Sequence, residues 1–210
     1  MAIQNIVNTE ENFTANQINY LCIRFTSMIL PIYAFGQPVL RKKATEIDAT
    51  YPDLNQLLSN MFETMYDSNG IGLAAPQIGL SIRLFIVDGS EIEDIEPKNF
   101  KKIFINPIIE EEFDEKWDYE EGCLSIPNVR ADVNRHSKLT IRYQDENFQE
   151  HVETYGGMAA RIIQHEYDHI EGILFTDRIH PLKRTLLKTK LNNIAVGKVS
   201  AGYRMKFAKK

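Results

Sequence analysis

The chain has 210 residues, 43% of them apolar and 25% charged, with a formal net charge of −5 at pH 7. That balance is globular; it excludes a wholly disordered chain, which would carry far fewer large apolar residues, and no uncharged apolar run reaches the ~18 residues of a bilayer-spanning helix. Two cysteines, Cys22 and Cys123, are too few for a disulfide framework, so the expected setting is reducing and intracellular.

Residues 1–27 are rich in Asn, Thr and Gln and resemble neither a secretory signal nor an Arg-rich transit peptide. The texture changes at Met28, which makes residues 1–27 an N-terminal extension and Met28 a candidate start. From Asp53 to Asp67 the apolar residues Leu54, Leu57, Leu58, Met61 and Met65 share one helical face, with Pro52 suited to the first turn. Ile82 to Val87 and Ile103 to Ile109 read as strands, the second placed at an edge or a bulge by Pro107. Leu139, Ile141 and Tyr143 alternate with Thr140 and Arg142, the period of a half-buried strand. After the turn at Asp145-Glu146-Asn147, residues 149–154 are its expected hairpin partner. A helix over 158–171 ends at Gly172, and a last helix is predicted from Pro181 to Val196.

Charge is divided unevenly. Residues 181–210 carry nine Lys and Arg and no Asp or Glu, so they hold +9 while the rest holds −14. A basic tail behind an acidic body points to a polyanionic partner, or to a solvated helix that keeps the protein soluble. The expected division is therefore an extension (1–27), a catalytic body (28–180) and a basic C-terminal helix and tail (181–210).

The strongest chemical signal is His165-Glu166-Tyr167-Asp168-His169. On a helix, residues i and i+4 lie on one face, so both imidazoles can point at one metal ion. Glu166 then turns toward the same cavity, placed to take a proton from water rather than to be a ligand. Met158, Ile162 and Ile163 precede the pair and mark the helix as buried, where two His, a Glu and an Asp are costly unless paired or ligated. A catalytic ion needs a third protein ligand. The zinc metalloprotease pattern H-E-x-x-H-x-x-G-x-x-H is followed as far as Gly172, but its last position is Phe175, and no acidic residue follows Asp177. The third ligand must lie upstream. Cys123, in Glu121-Gly122-Cys123-Leu124-Ser125, is the natural candidate, since a thiolate suits a borderline divalent metal. A third segment, Gly70-Ile71-Gly72-Leu73-Ala74-Ala75-Pro76-Gln77, lacks the third glycine of a dinucleotide fingerprint and the Gly-Lys-Ser/Thr of a phosphate loop. In it, Gln77 can offer an amide N–H to a carbonyl oxygen.

Together these segments resemble the peptide deformylases, which carry G-x-G-L-A-A-x-Q, E-G-C-L-S and Q-H-E-x-D-H in this order. Gly70–Gln77, Glu121–Ser125 and Gln164–His169 match without a mismatch. The resemblance spans about Met28 to Ile179. It implies an α+β fold, with antiparallel sheets packed around a central metal-binding helix, plus a C-terminal helix as in some bacterial members. It implies a hydrolase that removes the N-formyl group from the initiator methionine of new chains and releases formate. The metal would be Fe²⁺, with Zn²⁺, Ni²⁺ or Co²⁺ as replacements, held by Cys123, His165 and His169. Glu166 would be base and then acid, and Gln77 and the Leu124 N–H would hold the developing oxyanion. Ile71 and Gly72 would run beside the substrate backbone and Arg130 would touch it further along; Ile71, Tyr119 and Ile162 are candidates for the methionine pocket. The expected partner is an N-formyl-Met nascent peptide in the cytoplasm, with the basic tail able to approach the ribosome and residues 198–210 dispensable for turnover of short peptides. Neither a membrane nor sequence-specific nucleic acid is expected.

Overall fold

The computed structural model describes residues 27–93 and 95–208, so the expected extension falls almost wholly outside the described residues. Within the described residues thirteen short and long segments follow one another. Strand β1 (Ile32–Tyr33) leads through a 3-10 turn (Pro38–Arg41) to helix α1 (Leu54–Asp67). Strand β2 (Gly72–Ala74), a second 3-10 turn (Ala75–Ile78), β3 (Leu84–Asp88), β4 (Lys101–Cys123), β5 (Ile126–Gln144) and β6 (Glu150–Gly156) come next. Helices α2 (Gly157–Ile170), α3 (Phe175–Arg178) and α4 (Pro181–Ala195) precede β7 (Met205–Lys206).

Strands β2 to β6 form one antiparallel sheet in which spatial order equals chain order, while β1 and β7 make a separate parallel pair. The fold is thus α+β. Leu139, Ile141 and Tyr143 are buried on β5, as their alternation requires. The register of β4 against β5 slips between Ile105 and Ile108, which lodges Pro107 in a bulge where no ladder N–H is needed. The carbonyl of Pro107 accepts instead from Arg83 Nη2 at 2.6 Å.

Two expectations change. Helix α1 begins at Leu54 because Asp53 adopts a left-handed conformation (φ 53°), so Pro52 lies before the first turn and not in it. And β4 runs far beyond Ile109, through Glu110–Glu112, Asp114, Glu115 and Asp118, whose mostly exposed side chains give no apolar alternation. Pairing with β5 makes this arm a strand, helped by Glu110–Arg142 (3.1 Å) and Asp114–Lys138 (2.8 Å).

Helix α2 lies on the sheet. Ala159, Ala160, Ile162, Ile163 and Ile170 pack with Phe85, Phe104, Leu139 and Ile141, and each large apolar side chain so buried stabilises the fold by about 1.5–3 kcal/mol. The small alanines let the helix approach closely. Its end is set by Gly172, whose left-handed backbone (φ 74°) and closeness to the Arg41 backbone (2.9 Å from where a Cβ would stand) admit no side chain. Helix α4 splits its apolar residues: Leu191 and Ile194 enter a core with Leu174, Phe175 and Ile179, while Leu182 and Leu186 stay exposed. No helix of the described residues is long and apolar enough to cross a membrane.

Candidate metal centre

Strand β4 ends at Cys123, and a two-residue turn, Leu124-Ser125, carries the chain into β5 at Ile126, the partner of Cys123. The thiol is thereby held at a hairpin tip that faces α2. One turn of α2 separates His165 from His169, and both imidazoles face this tip. Sγ of Cys123 lies 3.2 Å from Nε2 of His169. The ligand atoms of Cys123, His165 and His169 all fall within 4.8 Å of one another. Two donors at bond lengths of about 2.3 Å (sulfur) and 2.0 Å (nitrogen) on a tetrahedral ion stand ~3.5 Å apart. The three side chains therefore fit one ion, and a set of one sulfur and two nitrogens suits a borderline divalent metal.

The groups around the trio act on its two imidazoles in opposite directions. His165 Nδ1 meets Glu121 Oε2 at 2.9 Å, which fixes the ring and leaves Nε2 for the centre. Burial disfavours a charge on His165, yet Cys123 and Glu121 outweigh it and draw positive charge to that ring. Burial and the positive charges of His165 and Arg135 keep His169 well below the usual histidine range. Its Nδ1 is buried without a hydrogen-bond partner among the described residues. Burial raises the Glu121 carboxyl, but hydrogen bonds from His165 and Arg135 prevail and hold it well below the carboxylate range.

A buried network supports these groups. Glu121 accepts from Arg135 Nε at 2.7 Å and from Arg161 Nη1 at 2.8 Å. Arg135 Nη1 donates to Asp168 at 2.8 Å, and Arg178 donates to the same carboxylate. Charges at this depth are tolerated because each has several partners. In the sequence Glu121 is only one letter of a motif, and nothing local marks Arg135 or Arg161. A histidine that binds metal needs a partner for its other nitrogen, and that requirement was the available signal for Glu121. Arginines that reach it from β5 and α2 leave no local trace.

Glu166 is buried, and its Oε2 has no hydrogen-bond partner among the described residues. Burial pushes its carboxyl up to about 7, despite the opposing pull of His165. Gly72 packs against that carboxylate so closely that an added Cβ would collide with it. Gln77 is fixed by its own turn: its Oε1 accepts from the Ala74 N–H at 2.8 Å, which leaves Nε2 directed at Cys123 Sγ (3.5 Å) and Ser125 Oγ (3.4 Å).

A cleft of about 790 Å³ opens over this centre. Gln77, Cys123, Leu124, His165 and Glu166 line it, as do Ile71, Gly72, Tyr119, Arg130 and Ile162, while His169 lies beneath, buried. All eleven residues singled out in the sequence are thus gathered at one place. Ile71 and Tyr119 stand exposed on the rim, Ile162 is buried in the floor, and Arg130 reaches toward Glu120 at 3.8 Å. Met158, Ile92 and Val129 extend the apolar lining, and Tyr203 closes one side. Phe175, where a metalloprotease of the pattern above would place its third histidine, is buried with its ring centroid 6.2 Å from that of His165.

Residues 29–185 match the family model described as polypeptide deformylase. A peptide deformylase of Christiangramia forsetii is 55% identical over 189 residues, covering 86% of this chain and 96% of that protein. Among solved structures, a peptide deformylase from Legionella pneumophila superposes with a TM-score of 0.72 at 35% identity, covering 81% of this chain and 98% of the other. The enzyme from Thermotoga maritima gives 0.67 at 39% identity, over 73% of this chain and 99% of its own.

Proposed function

Since the chain belongs to the polypeptide deformylase family, and is a metal-dependent hydrolase that frees formate from N-formyl-methionyl chains, we propose that Cys123, His165 and His169 hold its metal ion, with Fe²⁺ the native ion. The observation that carries this reading is the convergence of the three donor groups beneath a cleft that also holds Glu166 and Gln77. A divalent ion at that point supplies Lewis-acid polarisation of the formyl oxygen and makes water more acidic. The rest is the work of the chain's own residues. Glu166, whose carboxyl burial has brought near neutrality, takes a proton from the attacking water and delivers it to the departing amine. Gln77 Nε2 and the Leu124 N–H donate to the oxygen as negative charge gathers on it, each worth a factor of roughly 10²–10³. Ile71, Gly72 and Arg130 align the peptide along the rim. Ile162, Tyr119 and Ile71 enclose the methionine side chain. The enzyme works in the cytoplasm, where nascent chains emerge.

Formate release from a formyl-Met peptide, run beside cleavage of an internal peptide bond, tests the reading. Formate without chain cleavage is expected; the reverse would make the protein a peptidase. Metal analysis after purification without oxygen identifies the ion.

The basic region can bring the enzyme to the ribosome through α4. Lys183 is paired with Asp132 (2.6 Å) and Arg184 with Asp177 (3.0 Å), but Lys188 and Lys190 form no ion pair among the described residues. Attraction to RNA phosphate would be salt-dependent. Replacing Lys188 and Lys190 by Glu should weaken co-sedimentation with ribosomes at low salt.

A further inference from the structure

The chain beyond α4 does not lead away from the body. Asn128 Nδ2 donates to the Ser200 carbonyl at 2.9 Å, and Ala201, Gly202 and Tyr203 then form one wall of the cleft. Strand β7 follows at once, alongside β1, with the Ile32 N–H donating to the Arg204 carbonyl (2.9 Å) and the Ala34 N–H to the Lys206 carbonyl (3.0 Å). Val199, Met205 and Phe207 pack into the core beside Leu191 and Ile194. Residues expected to be dispensable for turnover of short peptides thus pack on the body and, at 201–203, line the cleft.

Anchored on both sides, Tyr203 directs its hydroxyl to the Leu124 carbonyl, 2.7 Å away. The neighbouring carbonyl of the same turn, that of Ser125, accepts from the Phe35 N–H at 2.8 Å. Both carbonyls of the Leu124-Ser125 turn are thus gripped by segments that the pairing of β1 with β7 brings together. Peptide planes are rigid, so holding the Leu124 carbonyl removes rotation on one side of its Cα. The Leu124 N–H lies in the plane on the other side, which Cys123 anchors. A donor to an oxyanion contributes fully only when it is aimed before charge develops.

We propose that Tyr203 is a positioning residue of the deformylation reaction: its hydroxyl locks the Leu124 turn so that the Leu124 N–H points at the forming oxyanion. Tyr203 lies outside residues 29–185, the span of the family match. The inference rests on the deformylase reading of the site. It adds a group supplied by the returning C-terminal segment.

Tyr203→Phe keeps the ring and its packing and removes only the hydroxyl. In metal-loaded enzyme acting on a formyl-Met peptide, kcat should fall about 5- to 30-fold, a part of the value of one oxyanion donor. KM should stay within about twofold, and melting temperature and bound metal should match those of the parent. An unchanged kcat would overturn the proposal. A fall in kcat matched by an equal loss of metal would overturn it too, and make Tyr203 a support for the Cys123 ligand. Parent enzyme that holds its metal yet releases no formate would instead refute the deformylase reading, so the two failures are distinct.

Discussion

Glu121 and His165 meet at 2.9 Å, carboxylate oxygen to Nδ1, across the join between the β4–β5 hairpin and α2. The contact makes His165 present Nε2 to the centre and adds basicity to the ring. Glu121→Gln retains an acceptor and removes the charge. Metal affinity, measured by competition with a chelator, should weaken about 10- to 100-fold. Unaltered affinity would mean that the helix alone sets the ring.

Glu166 shares the helix with both histidines but contributes no atom to the trio. Glu166→Ala should leave metal content intact and lower kcat by roughly 10²–10⁴, the usual value of a positioned proton carrier. Parallel loss of metal and activity would reassign it as a ligand.

Gly72 leaves room for the Glu166 carboxylate. Gly72→Ala should displace that carboxylate, and a displacement near 1 Å costs about 10² in rate. Circular dichroism should show the fold retained. Full activity would show that β2 yields instead.

Acid should loosen a second ion pair, partly buried, at the C-terminal end of α2 two residues beyond His169. Arg83 donates to Glu171 at 2.6 Å, and the Arg83 side chain is 6% exposed. Burial raises the Glu171 carboxyl, but Arg83 and Lys43 more than offset it and hold it below its ordinary value. A depressed carboxyl contributes stability above the unfolded-state value of about 4.3 and loses it as pH falls through the lower folded value. Glu171→Gln should therefore be less stable than the parent by about 1–3 kcal/mol at pH 7. The gap should narrow as pH falls below about 4.3, as seen in urea melts; a gap constant with pH would assign the effect to packing.

How much of this could be read from the chain depended on range. His165 and His169 sit one helical turn apart, so periodicity alone set them on one face, and the alternation of Leu139, Ile141 and Tyr143 marked β5. Glu110–Glu112 showed no strand signal because most of their side chains meet water, and only pairing with residues near 139–142 makes that arm regular. The two-residue strands β1 and β7 lie more than 170 residues apart and have no pattern of their own. Tyr203 was consequently invisible as part of the cleft, although the motif residues it touches were not.

The three candidate ligands come from only two pieces, a hairpin tip and a helix, and Cys123 and His169 stand 46 positions apart in the chain. An ion held there acts as a removable cross-link between sheet and helix. Whatever binds the native form and not the unfolded one stabilises it by an amount that grows with the logarithm of its supply. A cell short of the metal would therefore hold not an idle copy of the same enzyme but a looser one, open more often at this join and more readily cut by proteases.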